Sequence, residues 1–379
     1  MDFELSEEEK MFQQAIRDFC QKEIAPVVDE AEEKEEFPVE IARKLGKFGY
    51  LWPSAPIEYG GGGMSKVCDA IVKEETAYVC AGISQCLGPD IAPDIIRRHG
   101  THEQKLKWLA PVIAGEKIGA YGLTEPDAGS DAASIKTRAV RKGDYYIVNG
   151  DKCFITRGNI CDYVTLMAST DPSKGGRGIT VLIVERSTPG FSNAKMKKMG
   201  IHSADTAMLA FQDSPVPVEN LIGEEGRGFH YTLEALDYNR LDYAAMTVGL
   251  AQAAYEAALD YAKRREQFGQ PLGKQERISF AIADMATMIK AARWQVYYAC
   301  WLSDHVESNL EFSADAAMAK LFAGNVCMWV TQESLQIHGG HGLMMDSPVQ
   351  RYARDARFYG LMAGSLEMCQ LVIARRLGL

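Results

Sequence analysis

The period of the hydrophobic pattern changes twice along this chain, and no other feature of the sequence restricts its possible folds as strongly. Over residues 1–117 apolar side chains recur at helical spacing, as Met11 and Ala15 do. Between 118 and 225 the period falls to two, which is typical of strands, and over 226–379 the helical spacing returns. Because 379 residues exceed what one hydrophobic core usually holds, we predict three domains with these boundaries.

Within these regions, local signals predict individual elements. Ser6 and Glu9 have the spacing of a capping box, which predicts the start of a helix. The glycine-rich run 59–64 is predicted to be a loop and not a phosphate-binding turn, since no strand precedes it and no Lys-Ser/Thr pair follows it. The predicted strands are 145–150, 163–168, 179–184 and 207–211, and the predicted long helices are 241–265, 276–307 and 313–337. The expected fold class is therefore α+β, with a β-domain between two helical regions and a helix bundle at the end.

The charge and the cysteines exclude several classes of protein. A net charge of -10 gives no electrostatic reason to bind nucleic acid or an anionic membrane. No apolar run approaches the ~18 residues that span a bilayer, and the acidic N-terminus lacks the features of a signal peptide, so we expect a cytoplasmic protein. The nine cysteines form no CxxC pair, and His338 and His341 have no cysteine or carboxylate at ligand spacing. Neither a disulfide framework nor a metal site is therefore expected.

Seven short segments, in a fixed order, carry a resemblance that extends over nearly the whole chain. They are 121–131, 152–156, 215–223, 226–229, 265–272, 336–342 and 354–357. On these segments the chain resembles the acyl-CoA dehydrogenase family. The resemblance implies an N-terminal helical domain, a central β-barrel domain and a C-terminal four-helix bundle. It also implies FAD as cofactor, an acyl-CoA thioester as substrate, an electron-transfer flavoprotein as electron acceptor and a homotetramer.

The same resemblance implies which residues contact the cofactor. Leu123 and Thr124 would contact the edge of the flavin ring, and Phe154 and Thr156 would lie beside it. A threonine hydroxyl there can form a hydrogen bond with the hydride-accepting nitrogen. The other implied contacts are Arg265 and Phe268 at the pyrophosphate of a neighbouring subunit's FAD, Gln336, Gly339 and Gly340 at the ADP half, and Ser365 and Glu367. Taken singly, these residues have plainer explanations, because Phe154 fits an alternating strand and Arg265 fits a solvated helix end.

The residues that match substrate contacts of the family also contain a departure from its pattern. The implied contacts are Ser130, Asp237, Asn239, Arg240, Met362 and Gly364, with Asp237 and Arg240 on the CoA side. Where the family usually has its catalytic glutamate, this chain has Ala363. Some members carry the base at the position of Asn239, but an amide cannot take a proton at neutral pH. The Ala363 backbone N–H would still donate to the thioester oxygen, so carbonyl polarisation can survive without α-proton abstraction.

Asp90 is the first candidate for a relocated base. It lies in the segment 87–96, which matches the acyl end of the family's pocket, and a carboxylate among apolar neighbours would have a raised pKa suited to a general base. An α,β-unsaturated thioester has acidic γ-protons, and a base deeper in the pocket would reach them. The plainer explanation of Asp90 is a helix N-cap after Pro89. Asp94 ranks second, since we expect it to be solvated or paired with the arginines that follow it.

Three explanations of the missing glutamate remain open on the sequence. With Asp90 as base, the chain resembles the alicyclic acyl-CoA dehydrogenases, which implies 1,4-elimination from cyclohex-1-ene-1-carboxyl-CoA to a cyclic conjugated diene. The second explanation is a conventional 1,2-dehydrogenation of cyclohexanecarboxyl-CoA or a branched acyl-CoA, with a base elsewhere. The third is an inactive flavoprotein that lacks a base and acts through binding or partner contact.

Overall fold

The computed structural model describes residues 4–88 and 90–379, and within them helices, strands and helices follow one another as predicted. The α-helices of the first region are α1 Glu7–Phe19, α2 Val28–Lys34, α3 Val39–Lys47, α4 Lys66–Val79, α5 Ala81–Cys86, α6 Ile91–His99, α7 His102–Gln104 and α8 Ala110–Ile113, with π-helical segments Cys20–Ile24 and Lys105–Leu109 after α1 and α7. The capping box of α1 is confirmed. The Ser6 hydroxyl accepts from the Glu9 N–H, and the Glu9 carboxylate accepts from the Ser6 N–H.

The central region forms one seven-stranded sheet. Its strands are β1 Gly119–Gly122, β2 Arg138–Lys142, β3 Tyr145–Thr156, β4 Tyr163–Ser169, β5 Ile179–Glu185, β6 Phe191–Lys195 and β7 Thr206–Pro217. They lie in the order β1-β4-β2-β3-β7-β6, and β5 pairs antiparallel with β4. The four predicted strands are confirmed, and β3 and β7 extend beyond their predicted ends. The sequence does not predict β1, β2 and β6. Strand β1 has only four residues, two of them glycine. In β2 and β6 most side chains are exposed or half-buried and lack a clear alternation.

Long helices dominate the last region. They are α9 Gly228–Arg264, α10 Glu276–His305 and α11 Asn309–His338, followed by α12 Pro348–Tyr359 and α13 Leu366–Arg376, with a short hairpin of β8 Glu266–Gln267 and β9 Gln270–Pro271. The three predicted helices are confirmed, but α9 begins well before residue 241. Its first turns bury Asp237, Asn239 and Arg240, and these polar side chains interrupt the apolar spacing from which a helix start is recognised.

Helix α4 of the first region packs against α9 and α10 of the last region and is buried on almost every side. Charged side chains on it have partners on the C-terminal helices. Lys66 Nζ lies 2.6 Å from an oxygen of Asp242 on α9, and a Glu74 oxygen accepts from Arg293 of α10 at 2.8 Å. Because a buried charge without a partner is costly, these pairs fix how α4 sits against the C-terminal helices.

The first and last helical regions share one hydrophobic core. A single cluster of buried residues includes Ile71 of α4, Val248 of α9 and Val326 of α11. The sheet has a core of its own, which includes Val148 and Leu166. Sequence periodicity separates regions along the chain, whereas packing joins the two helical regions in space.

Three features bear on the classes of protein considered from the sequence. Within residues 4–88 and 90–379, no helix combines the length and hydropathy needed to cross a bilayer. All nine cysteines are free and buried. The glycine-rich run is confirmed as a loop, which follows the 3₁₀ helix Ile57–Tyr59 and continues to the start of α4 at Lys66.

Candidate active site

A bulge near the end of β3 holds Phe154 out from the sheet. The pairing of β3 with β7 shifts register between Lys152 and Ile155, so β3 has one extra residue there. Phe154 adopts a left-handed backbone, with φ 58°, and 63% of its surface is exposed. Thr156 ends the strand, and among the described residues its hydroxyl has no recorded partner. An exposed aromatic face beside a free hydroxyl fits a planar ring with polar edges, such as the flavin of FAD.

The loop after β1 is fastened to β3 beside this bulge. The Cys153 N–H donates to the Thr124 carbonyl at 2.9 Å, and the Lys152 ammonium donates to the Leu123 carbonyl at 2.9 Å. Lys152 is fully buried and also lies 2.7 Å from a carboxylate oxygen of Glu125. Burial lowers the pKa of Lys152 to about 8, although Glu125 opposes the shift. The loop that carries Leu123 and Thr124 is therefore held beside the end of β3 that carries Phe154 and Thr156. We call these four residues the flavin surface, and their contacts with a flavin stay predictions.

Asp90 caps α6 and also contacts a buried arginine. Its Oδ1 accepts the Ala92 N–H at 2.9 Å, so the predicted N-cap is confirmed, although Pro89 lies outside the described residues. Its Oδ2 forms an ion pair with Arg157, whose side chain is 5% exposed. The expectation of purely apolar neighbours is therefore wrong. A guanidinium beside a carboxylate favours the charged form, which opposes the effect of burial.

Asp94, the second candidate, contacts arginines of its own helix. One of its oxygens accepts from Arg97 and the other accepts from Arg98, at 2.6 to 2.9 Å. Of the two predicted alternatives, pairing with arginine is confirmed, and Asp94 is buried. Burial alone would raise the pKa of Asp94, but the two guanidinium groups hold it below its ordinary value. Both oxygens are thus occupied by neighbours on the same helix.

Arg157 follows Thr156 directly and connects the end of the sheet with α6. Its backbone is left-handed, with φ 63°, and its N–H donates to the Asp205 carbonyl at 3.0 Å. Burial lowers the pKa of Arg157. Its Nε is buried and has no partner among the described residues. The guanidinium therefore has donor capacity beyond its contact with Asp90.

Tyr243 of α9 lies between the two sides of the site. It accepts a hydrogen bond from Gln85 of α5 at 2.6 Å, and its hydroxyl lies 4.0 Å from the sulfur of Met362. Burial raises the pKa of Tyr243 to about 12, and nearby Arg157 opposes that shift. Tyr243 is therefore neutral at physiological pH. Arg157 and the segment around Met362 therefore both lie near the Tyr243 side chain.

The segment between α12 and α13 carries the position of the missing glutamate. Ala363 and Gly364 both have left-handed backbones, with φ 52° and 77°. The buried ammonium of Lys320, on α11, donates to the carbonyl of Met362 at 2.6 Å and to the carbonyl of Gly364. No acceptor for the Ala363 N–H is recorded among the described residues. That N–H is therefore available to a ligand, as the resemblance implies.

The predicted CoA-side pair is brought together on the first turns of α9. Asp237 and Arg240 form a buried ion pair. Asp237 also accepts from Asn309 at 2.9 Å and from Ser313 at 2.8 Å, so the start of α11 holds this carboxylate in place. Asn239 lies between the pair in sequence and is buried too. These contacts give Arg240 a fixed direction, while its role toward CoA stays a prediction.

The residues predicted at the pyrophosphate and at the ADP half of FAD lie at the opposite end of the long helices. Arg265 follows the last residue of α9, about 30 Å along the helix axis from Tyr243. The end of α11 is adjacent, since the rings of Tyr261 and His338 stack at 4.3 Å. The neighbouring predicted residues Gln336, Gly339 and Gly340 are exposed, and Phe268 is 93% exposed. Within one chain, these residues lie far from the flavin surface. Their predicted role toward the FAD of a neighbouring subunit stays a prediction.

Three further predicted residues have local roles or remain at the surface. The Ser365 hydroxyl caps α13 by accepting from the Met368 N–H at 3.4 Å. Glu367 is exposed, and a hydrogen bond with Ser365 lowers the pKa of its carboxyl group. Ser130 is exposed in the loop that follows β1. Their contacts with FAD and CoA stay predictions.

Comparison with known proteins agrees with this arrangement. Models of the acyl-CoA dehydrogenase N-terminal, middle and C-terminal domains match residues 6–116, 120–214 and 226–378. The chain belongs to the acyl-CoA dehydrogenase family. As an acyl-CoA dehydrogenase it is an FAD-dependent oxidoreductase acting on acyl- or enoyl-CoA thioesters. The resemblance and the fold class inferred from the sequence are thereby confirmed.

Two relatives and one solved structure are similar over almost their full lengths. The short-chain specific acyl-CoA dehydrogenase of Clostridium acetobutylicum is 41% identical, covering 100% of both chains. The cyclohex-1-ene-1-carbonyl-CoA dehydrogenase of Syntrophus aciditrophicus is also 41% identical, covering 99% of this chain and 91% of that protein. A chain in the solved structure of the electron transferring flavoprotein of Acidaminococcus fermentans has a TM-score of 0.95 and 41% identity, covering 100% of this chain and 99% of that one.

Arg157, Tyr243 and Lys320 were not found as site residues from the sequence. Arg157 had a usable signal, because it directly follows the predicted flavin contact Thr156. Lys320 had another, because it is a single lysine in the apolar run from Ala316 to Ala323. A lone charge at a position that periodicity assigns to the core requires a partner, and such a residue is a candidate for function.

Proposed function

We propose that this acyl-CoA dehydrogenase converts cyclohex-1-ene-1-carboxyl-CoA to a cyclic conjugated diene by 1,4-elimination, with Asp90 as the base. The contact between Asp90 and Arg157 supports this most, because Arg157 directly follows Thr156 on the flavin surface. A carboxylate thus contacts the residue next to this surface, while both usual base positions hold residues that cannot take the proton, Ala363 and Asn239. The similarity to the Syntrophus aciditrophicus enzyme agrees with this choice.

The chemistry of an unsaturated thioester explains why a base away from the α-carbon is useful. The α-carbon of a cyclic 1-enoyl thioester carries no hydrogen, so its acidic protons are at the γ-carbon. In the proposed step Asp90 takes a γ-proton, and the C–H electron pair becomes a double bond to the β-carbon. The former π pair moves to the other ring bond of the α-carbon, and a hydride leaves the ring carbon at the far end of that bond. One proton and one hydride are removed, and one double bond is gained.

The protein's own groups act on both ends of this conjugated system. The Ala363 N–H donates to the thioester oxygen, where negative charge develops. Phe154 and Thr156 would hold the flavin ring of FAD, together with Leu123 and Thr124. When bound, FAD supplies the hydride acceptor. The enzyme therefore has mainly to position three groups around a planar substrate.

Arg157 gives Asp90 its charge and its direction. The guanidinium binds one carboxylate oxygen and the Ala92 N–H binds the other, so the group cannot rotate freely. Each oxygen keeps a further lone pair that can accept a proton. Ion pairing weakens a base but keeps it ionised over a wide pH range, which suits a base that must always be charged when substrate arrives.

We further infer that an electron-transfer flavoprotein accepts the electrons and that the chain forms a homotetramer. The similarity to a chain in the Acidaminococcus fermentans structure supports the first inference. The tetramer is supported by exposed aromatic side chains on α10, at Phe280, Tyr298 and Trp301. Their spacing places them within one stripe of the helix, and such a stripe is typical of a surface that a further subunit covers.

Conventional 1,2-dehydrogenation of a saturated acyl-CoA is the second candidate. It is favoured by the equal identity to the short-chain specific enzyme of Clostridium acetobutylicum. This reaction needs a base next to the α-carbon, where Ala363 and Asn239 offer none. The choice of substrate therefore separates the two candidates.

The first test is anaerobic flavin bleaching with three CoA esters. The panel contains butyryl-CoA, cyclohexanecarboxyl-CoA and cyclohex-1-ene-1-carboxyl-CoA. We expect rapid reduction by the cyclohexene ester alone, because only its γ-protons can reach Asp90. Reduction by the saturated esters would establish the 1,2-reaction instead. If none of the three bleaches the flavin, the proposed activity is wrong.

Asp90→Asn tests the base directly. Asparagine still caps a helix, so α6 should remain folded while the proton acceptor is lost. We expect the rate of flavin reduction to fall about 100- to 10,000-fold, with FAD content unchanged. Asp171→Asn is a matched control, because Asp171 also caps a helical turn, through the Ser173 N–H, but lies on another loop. Equal rates in the wild type and Asp90→Asn would remove Asp90 from the mechanism.

A further inference from the structure

Lys320 is a buried lysine without a carboxylate partner. It is 2% exposed, and among the described residues no aspartate or glutamate forms an ion pair with its ammonium. Two other buried lysines have a carboxylate partner, since Lys66 contacts Asp242 and Lys152 contacts Glu125, whereas Lys73 also donates to a backbone carbonyl. Burying an ammonium costs free energy unless hydrogen bonds or an ion pair compensate for its lost hydration.

The partners of Lys320 are two backbone carbonyls that flank one residue. Its Nζ donates to the Met362 oxygen at 2.6 Å and to the Gly364 oxygen. Ala363 lies between these two carbonyls and has a left-handed backbone, with φ 52°, which a β-carbon disfavours. The two hydrogen bonds hold the segment in this conformation.

The bond to Met362 has a second consequence, because the Met362 carbonyl and the Ala363 N–H belong to the same peptide group. A cation that binds the oxygen of a peptide draws electron density toward that oxygen. The N–H of that peptide then becomes a stronger donor, as in other hydrogen-bond chains that polarise one another. The Ala363 N–H has no recorded acceptor among the described residues, so the effect reaches a ligand and not another part of the chain.

We propose that Lys320 is a positioning residue that aims and polarises the Ala363 N–H toward the thioester oxygen of the substrate. This inference rests on the proposed function, in which that N–H stabilises charge on the thioester. It adds that the stabilisation originates in an ammonium one peptide group away. The charge acts through the peptide without touching the substrate.

The charged surroundings of Lys320 make the effect dependent on pH. Burial lowers the pKa of Lys320 to about 8. Cys369 and Glu367 on α13 oppose that shift, while Arg240 on α9 adds to it. Below pH 8 the ammonium is charged and the N–H is polarised. As pH rises through 8, the proton is lost and the polarisation falls with it.

The test measures the carbonyl stretching frequency of bound benzoyl-CoA labelled with carbon-13 at the carbonyl. Benzoyl-CoA has a planar six-membered ring and cannot be dehydrogenated, so the FAD-loaded enzyme holds it unchanged. The readout is isotope-edited infrared difference spectroscopy, which reports hydrogen bonding to the thioester oxygen and not turnover. It is independent of Asp90.

We expect binding to the wild type to lower the frequency below that of free benzoyl-CoA, and Lys320→Met to reverse most of this change. Lys320→Arg, which keeps the charge, should restore part of it. Lys73→Met is the matched control, since Lys73 is also buried, has a pKa lowered by burial to about 8 and donates to a carbonyl, that of Leu87. In the control the frequency should equal that of the wild type.

In turnover, Lys320→Met should lower kcat about tenfold with KM less affected, a smaller loss than the roughly 100- to 1,000-fold typical when an oxyanion donor is removed entirely. If Lys320→Met does not fold, the wild type alone tests the proposal. The carbonyl stretching frequency of its bound benzoyl-CoA should rise toward that of free benzoyl-CoA between pH 7 and 9. An unchanged frequency in Lys320→Met, or across that pH range, would overturn the role of Lys320. No change on binding to the wild type would instead overturn the proposed thioester site.

Discussion

Among single residues, the pair formed by Asp90 and Arg157 bears most directly on the proposed mechanism. A carboxylate that caps a helix has one oxygen occupied, and here an arginine from the end of β3 occupies the other. A helix cap and a catalytic base are usually alternative explanations of one aspartate. In this geometry they are compatible, because the cap fixes the carboxylate and the guanidinium keeps it charged.

Arg157→Met should lower the rate of flavin reduction about 10- to 100-fold. Asp90 loses the partner that fixes its orientation and the positive charge that keeps it ionised. The acid limb of the pH profile of kcat/KM should move to higher pH, since the carboxylate then takes up a proton more readily. Stopped-flow flavin reduction from pH 5 to 9 measures both effects.

Arg157→Lys and Arg186→Met are the controls for this prediction. Lysine keeps the charge, so the acid limb should stay near its wild-type position even if the rate falls. Arg186 also binds carbonyls of the turn that follows Arg157, at Asn159 and Cys161, and its removal should leave the pH profile unchanged. An unmoved profile in Arg157→Met would show that the ion pair does not control Asp90.

Among elements, β3 determines most of the flavin surface. Its bulge turns Phe154 outward, and its buried Lys152 fastens the loop that carries Leu123. Glu125 completes this contact, since it also accepts from the backbone N–H groups of Lys136 and Thr137 at 2.6 and 2.9 Å. A bulge alone would leave the aromatic ring exposed, whereas the loop gives a ligand a second surface.

Lys152→Met should weaken FAD retention, because it leaves the Glu125 carboxylate buried without its cation. Removing one member of a buried pair typically costs about 3–5 kcal/mol. We expect a lower Tm of the apoprotein and loss of flavin on gel filtration. Glu125→Gln, which keeps an acceptor for the two N–H groups, should be milder. If Lys152→Met retains full FAD, the loop does not depend on this contact.

For the whole molecule, the packing of α4 against α9 connects the first helical region to the last. Gly249 of α9 marks the closest approach, since a β-carbon there would lie 2.0 Å from the Glu74 carbonyl oxygen. Glu74 itself is fixed by Arg293 at 2.8 Å and Tyr297 at 3.0 Å. The residues of the site on α5, α6 and α9 depend on this junction for their relative positions.

Gly249→Ala should therefore destabilise the protein by about 1–3 kcal/mol, as overpacking of a close contact does. Calorimetry should show a lower Tm, and flavin reduction should slow because α9 carries Tyr243 and Arg240. Gly129→Ala is the control, because a β-carbon there meets nothing within 4 Å. Equal melting temperatures of the two variants would mean that the helices can separate at no cost.

Sequence patterns accounted for much of this fold because those patterns are local. Apolar spacing predicted the three long helices and four strands, and the capping box at Ser6 predicted the start of α1. The start of α9 was not predicted, because its polar side chains are buried by partners from elsewhere in the chain. The weakly alternating strands β2 and β6 were not predicted either. Pairing with neighbouring strands, and not their own pattern, holds them in the sheet.

The sequence by itself determined the family, the order of helical and β regions, and the absence of a carboxylate at Ala363 and Asn239. Residue identity and motif order are properties of the chain alone. Only the tertiary structure brought Arg157 to Asp90 and Lys320 to the carbonyls around Ala363. These partners are far apart in sequence, and no local propensity encodes which buried charge meets which acceptor. The packing of helices and sheet decides that, because each buried charge must find its partner there.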